Sequence, residues 1–269
     1  MCSVIILRRP GHRWPVIIGA NRDEMADRPW KAPDRHWPDR PEVVAGLDVL
    51  AGGSWFGIND FGVLACILNR HGTLGPAVDK RSRGELVLEA LEHADAADAA
   101  RALATIEPSS YRGFNLLIAD SRDAYWIANR EDDSGISLEN VPEGVSMLTA
   151  HDMNDRRGSP RVARYLDRFR AAPAPDPAGG TDGAGDWDVW AMLLGSRDFA
   201  AEAGPAGAMT VVSDTGFGTS SSSLVALPAP GEGRPILRFA AGRPDTTPYE
   251  RIDAWQDGPE DAPDDTPHT

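Results

Sequence analysis

The 269-residue chain carries 27 Lys and Arg against 41 Asp and Glu, a formal net charge of −14. So acidic a composition argues against nucleic acid or an anionic membrane surface as a partner, since both require a basic face. Hydrophobic residues make up 41% of the chain, enough for a core, yet no stretch reaches the ~20 apolar residues of a membrane span.

The start, Cys2-Ser3-Val4-Ile5-Ile6-Leu7-Arg8-Arg9, has a short apolar run with no basic region before it. It does not read as a secretory signal, and a cytoplasmic location is the expectation. Its β-branched content reads as a buried strand. The small residue after Met1 allows the initiator to be trimmed, which would leave Cys2 with a free α-amine beside its own thiol. That amine has a reference pKa of about 8, so it can act as a base near neutral pH. A thiol carrying its own base is one way to activate a nucleophile.

A second strand is expected at 16–20, joined to the first through Arg9-Pro10-Gly11-His12. If the two pair antiparallel, the segment Asn21-Arg22-Asp23-Glu24 lies beside Cys2. A carboxylate there can orient the α-ammonium, and a guanidinium can lower the thiol pKa. The Pro- and Trp-rich stretch 28–41 reads as irregular. Gly52-Gly53-Ser54-Trp55-Phe56-Gly57-Ile58-Asn59 and Phe61-Gly62-Val63-Leu64-Ala65-Cys66-Ile67-Leu68-Asn69 read as a hairpin turning at Asn59-Asp60. Cys66 falls in an apolar strand and is expected as buried packing.

Ser82-Arg83-Gly84-Glu85 reads as a capping box that opens helices within 84–93 and 98–106. Strands are expected at 114–119, 124–128 and 145–149. Ser159-Pro160 starts another helix, whose Val162, Tyr165, Leu166 and Phe169 share one face. Residues 171–186, rich in Pro, Gly, Ala and Asp, read as a flexible insertion. A helix at 187–194 and strands at 209–213, 222–227 and 236–239 follow. The acidic tail 257–269 reads as solvated and disordered. Strands grouped with strands predict a layered α+β domain over 1–256. Two cysteines without an export signal do not make a disulfide framework, and no Cys/His spacing suits zinc, so no metal or other cofactor is required.

Cys2 together with Asn21-Arg22-Asp23-Glu24 resembles the NRDE family, also called the transport and Golgi organisation 2 family. Arg28, Trp30, Gly52-Gly53-Ser54-Trp55-Phe56-Gly57-Ile58-Asn59, Phe61-Gly62, Leu68-Asn69 and the later Phe217-Gly218-Thr219 extend the resemblance. More distantly, Cys2, Asp23 and the hairpin ending at Asn69 are similar to the choloylglycine hydrolase and penicillin V acylase branch of the N-terminal nucleophile hydrolases. That resemblance implies a four-layer αββα sandwich of two antiparallel sheets flanked by helices. It implies Cys2 as nucleophile, Asp23 holding the α-amine and Asn69 donating to the oxyanion. Arg22, Trp55, His71 and His151 are the expected substrate-binding residues. Ala150 stands where the branch has a second asparagine, and Ser220 where it has a late arginine.

Two functions follow from the resemblance. One is an amidohydrolase acting on a linear non-peptide amide through a Cys2 thioester. The other is a non-catalytic carrier of haem or acyl lipid on the same scaffold. Either takes a small-molecule ligand, with no nucleic acid and no integral membrane segment.

Overall fold

The computed structural model describes residues 2–179 and 185–255. Strands β1 (Ser3–Arg8) and β2 (Val16–Met25) come first, followed by β3 (Trp30–Asp34), β4 (Val43–Asp48), β5 (Phe56–Asn59) and β6 (Leu64–Asn69). Helices α1 (Gly84–Ala90) and α2 (Ala96–Leu103) precede β7 (Phe114–Ala119), β8 (Ala124–Asn129), β9 (Ile136–Asn140) and β10 (Gly144–Leu148). Helices α3 (Pro160–Ala171) and α4 (Asp188–Leu194) lead to β11 (Phe217–Leu227), β12 (Ile236–Ala240) and β13 (Glu250–Arg251).

The strands form two antiparallel sheets. One has the order β10-β1-β2-β11-β12-β13, and the other runs β3 to β9 in chain order. Strand side chains alternate between faces, and in β1 and β2 both faces are buried, which explains their nearly unbroken apolar sequences. Val4, Ile6 and Ile18 point into the layer between the sheets, against Phe56, Ile58, Leu64 and Leu117. Ile5, Leu7 and Ile17 point the other way, onto Val162, Tyr165, Leu166 and Phe169 of α3 and Trp190 of α4. On the far side of the second sheet, Leu86, Val87 and Leu91 pack with Leu103 against Val63, Ala65, Leu116 and Ile118. The result is the expected αββα sandwich. Each fully buried Ile or Leu contributes about 1.5–3 kcal/mol to holding the layers together.

Four local expectations need correction. The stretch 28–41 contains β3, which pairs with β4 through Trp30↔Asp48 and Lys31↔Leu47 before the register shifts. It is an edge strand holding Pro33, and edges tolerate the residue that hid it. Residues 209–213 form no strand; Val211 instead receives Thr219 N–H and donates its own N–H to Thr219 Oγ1. The capping box does not form. Arg83 occupies the N-cap of α1 without a side-chain cap, and Arg81 draws the Glu85 carboxylate away at 2.9 Å. Within 171–186, Ala171 closes α3 and Asp176 bridges to Asp186, while 180–184 lie outside the described residues. The tail 257–269 also lies outside them.

Candidate active site

The hairpin register places Ser3 opposite Asn21, so Cys2 stands at the mouth of the β1–β2 pair beside the motif segment. Its Sγ accepts from Asp23 N–H at 3.4 Å and donates toward Asp23 O at 3.6 Å. On its other side β2 pairs with β11, where the register shifts between Thr219 and Ser221. Such an irregularity re-aims side chains next to functional sites. Here Thr219 Oγ1 donates to Asp23 Oδ1 at 2.6 Å. Ser220 Oγ accepts from Arg22 Nη1 at 3.2 Å.

Asp23 is also gripped from the helix layer. Both Nη1 and Nη2 of Arg161, in the first turn of α3, lie 3.0 Å from Asp23 Oδ2. The Asp23 side chain is 0% exposed and that of Arg161 4%, so this is a buried ion pair. Sequence reasoning missed Arg161, because it lies 138 positions from its partner and sits on a helix face that reads as packing. The only local sign was a charged residue directly after the Ser159-Pro160 helix start.

The four residues of the motif divide their work. Asn21 is structural: its Nδ2 donates to Leu194 O and Met209 O, and its Oδ1 accepts from Ser222 Oγ. The Arg22 guanidinium carbon lies over Trp55, 4.4 Å from the ring centroid, with Glu24 at 3.7 Å and Asp48 at 4.0 Å. Trp55 can lie there because Gly46 has no Cβ; one would fall 2.4 Å from the indole ring. Glu24 also faces Arg28 at 3.8 Å, so it serves an ion-pair network around Arg22.

These groups border a cavity of about 460 Å³ lined by Cys2, Arg22, Asp23, Trp55, Ile67 and Asn69, with the segment from Leu74 to Gly84 as its far wall. Asn69 ends β6, and its side-chain amide makes no hydrogen bond to another described residue. A cavity of similar size, about 470 Å³, lies under Leu7, Phe169 and Trp190 on the helix side of the first sheet, and neither Cys2 nor Asp23 lines it.

His71 and His151 do not line the Cys2 cavity. Their rings stack on each other at 5.5 Å, and His71 N–H donates to Ala150 O at 3.0 Å. Burial, reinforced by the neighbouring His71, lowers the His151 pKa. At the Ala150 position the backbone is held by Asn115, whose Nδ2 donates to Thr149 O and His151 O.

The electrostatics of Cys2 run against the expectation drawn from Arg22. Burial raises the thiol pKa most, and the Asp23 carboxylate raises it further, outweighing the lowering by Arg22. The side chains around the sulfur therefore keep it protonated at neutral pH, and ionisation needs a base delivered to it. Burial between the sheets raises the pKa of Cys66 as well. Among the described residues no group of His, Cys, Asp and Glu could hold a metal ion. No described helix is long and apolar enough to cross a membrane.

The sequence matches the Transport and Golgi organisation 2 family over residues 1–175. It is 38% identical over 110 residues to the Homo sapiens transport and Golgi organization protein 2 homolog, a match covering 39% of this chain and 38% of that protein. The Mus musculus homolog is 39% identical over 111 residues, with the same coverage of 39% and 38%. The match thus spans well under half the length of these curated relatives. Among solved structures, the fold is similar to the Caenorhabditis elegans N-acylethanolamine-hydrolyzing acid amidase ortholog, with TM-score 0.53, 13% identity, and coverage of 86% of this chain and 95% of that one. It is also similar to penicillin V acylase from Agrobacterium tumefaciens, with TM-score 0.54, 14% identity, and coverage of 89% and 83%. Identities this low establish a shared fold, that of the N-terminal nucleophile hydrolases, and leave the chemistry to the site itself.

Proposed function

The chain belongs to the Transport and Golgi organisation 2 family, and from that premise we propose that it is an amidohydrolase with Cys2 as its nucleophile. Removal of Met1 frees the α-amine of Cys2. That amine takes the thiol proton as Sγ attacks the carbonyl carbon of a linear amide. The carbonyl oxygen becomes an oxyanion, and the Asn69 side chain donates to it. The C–N bond then breaks, the amine product leaves with the proton, and a thioester remains on Cys2. Water attacks the thioester, the acid departs, and the thiol is restored.

In this mechanism Asp23 orients the α-ammonium and is itself held by Arg161 and Thr219. One observation carries the reading: a sulfur 3.4 Å from Asp23 N–H on the wall of a cavity that Asn69 shares. The reading needs no cofactor and includes a cytoplasmic location.

The test is hydrolysis of a panel of N-acyl amides by protein whose intact mass confirms loss of Met1. Turnover that disappears in Cys2→Ala supports the reading. Absence of turnover in the trimmed native protein, with haem or an acyl ligand bound in titration, would favour a carrier instead.

A further inference from the structure

A second, smaller hollow lies on the inner side of Cys2, between the two sheets. It gives the centre of a water-sized sphere about 10 Å³ of room. On that measure roughly 10–15 Å³ admits one water. Val4, Phe56 and Ile67 supply apolar wall, while Cys2, Ser221 and Ser223 bring polar groups to it.

An irregularity in β11 puts the two serines there. Strand side chains alternate between faces. Thr219 pairs with Asp23 and bonds to it, so both lie on the face toward α3. In a regular strand Ser221 and Ser223 would follow Thr219 to that face. The register shift between Thr219 and Ser221 instead sets them opposite Arg22 and Ala20, on the face between the sheets. Val225 and Leu227 continue that face into the apolar layer, so β11 carries hydroxyls on it only at the Cys2 end. On the other side of β2, Val4 stands opposite Ala20, and the same register carries Cys2 to the side of Arg22. Ala20 lines the hollow with a single methyl.

The neighbouring serines are satisfied: Ser220 Oγ donates to Arg22 O at 3.2 Å and Ser222 Oγ to Ala20 O at 2.9 Å. Ser221 and Ser223 are only 1% and 3% exposed, and their hydroxyls make no hydrogen bond to another described residue. A buried hydroxyl without a partner is costly, and an ordered water is the usual remedy where room exists. Two hydroxyls and a thiol around one hollow match the roughly two to four polar partners that a buried water takes.

We propose that Ser221 and Ser223 hold one ordered water against the inner side of the Cys2 sulfur, and that this water donates a hydrogen bond to the thiolate when Cys2 ionises. The serines are positioning residues that act through the water. Arg22 and Asp23 of β2 also act on the sulfur, Cys66 faces the hollow from β6, and Glu24, Asp48 and Arg83 stand on the wider cavity. The β11 serines bring no charge, so replacing them removes donors and leaves the charges in place. The assignment concerns the nucleophile of the amidohydrolase reading but is measured on the thiol, not on turnover.

The test is the rate of Cys2 alkylation by iodoacetamide between pH ~7 and 10, followed by peptide mass spectrometry on protein that has lost Met1. The reagent enters through the wider cavity, away from the serines. In the Ser221→Ala, Ser223→Ala double variant the profile should move about one unit to higher pH, because a donor to the charged sulfur is gone. At a fixed pH below the midpoint that is a tenfold slower reaction. Neither substitution breaks a side-chain hydrogen bond among the described residues, so the fold is kept, and slow labelling of Cys66 should not change. Ser223→Thr keeps a hydroxyl but adds a methyl to a hollow the size of one water, and it should move the profile as alanine does. A profile unmoved in the double variant would overturn the assignment. So would a Ser223→Thr profile equal to the parent's, which would place the hydroxyl itself on the sulfur, or a shift shared by Cys66, which would mean loosened packing. Absent amide hydrolysis with the shift intact would strike the amidohydrolase reading alone.

Discussion

Cys2 and Cys66 share a resistance to ionisation but differ in what lies beside them. Cys66 has only the apolar layer between the sheets, whereas Cys2 has a carboxylate, a guanidinium and an open cavity. Both thiol pKa values are raised in the folded chain, so between pH ~8.5 and 10 the unfolded chain loses protons that the folded chain keeps. With more protons bound in the folded state, stability falls as pH rises, and it is fully retained below that window. Each thiol contributes a slope of up to about 1.4 kcal/mol per pH unit. Urea unfolding at pH 8, 9 and 10 should therefore show declining stability, and Cys66→Ala should remove roughly half of the decline. Stability unchanged across that range would mean that neither sulfur is as enclosed as the structure has it.

Between elements, the decisive link is the pair that ties α3 to β2. Arg161 and Asp23 come from different layers, and their side chains are almost wholly excluded from water. Removing one partner of such a pair leaves a buried charge, which costs about 3–5 kcal/mol. Arg161→Met should lower the unfolding free energy by that order in urea titration, and a double-mutant cycle with Asp23→Asn should give a coupling above ~1 kcal/mol. A loss below ~1 kcal/mol would reduce Arg161 to packing. Legibility in the sequence follows the same division between near and far. Cys2 and Asp23 were readable together because one hairpin of local register joins them. Arg161 and Thr219 were not, because the elements that bring them to Asp23 meet it only through the assembled sandwich. His71 stands off the Cys2 cavity for a related reason: two residues beyond Asn69 the chain has left the strand and turned toward the Ala150 backbone.

For the molecule as a whole, apolar runs told which strands are buried on both faces, and the helix face of Val162, Tyr165, Leu166 and Phe169 marked the outer layer. What those patterns lack is sheet order. The first sheet gathers β1 and β2 from the start of the chain, β10 from the middle and β11 to β13 from the end, and no local period encodes that assembly. The assembly sets Cys2 of the first sheet and Asn69 of the second on one cavity. Mass spectrometry of the trimmed protein, quenched in acid during reaction with an N-acyl amide, tests that arrangement most directly. An acyl adduct on the Cys2 peptide, accumulating further when Asn69 is intact than in Asn69→Ala, is the expected result. Turnover with no adduct on Cys2, or an adduct on Cys66 instead, would contradict it.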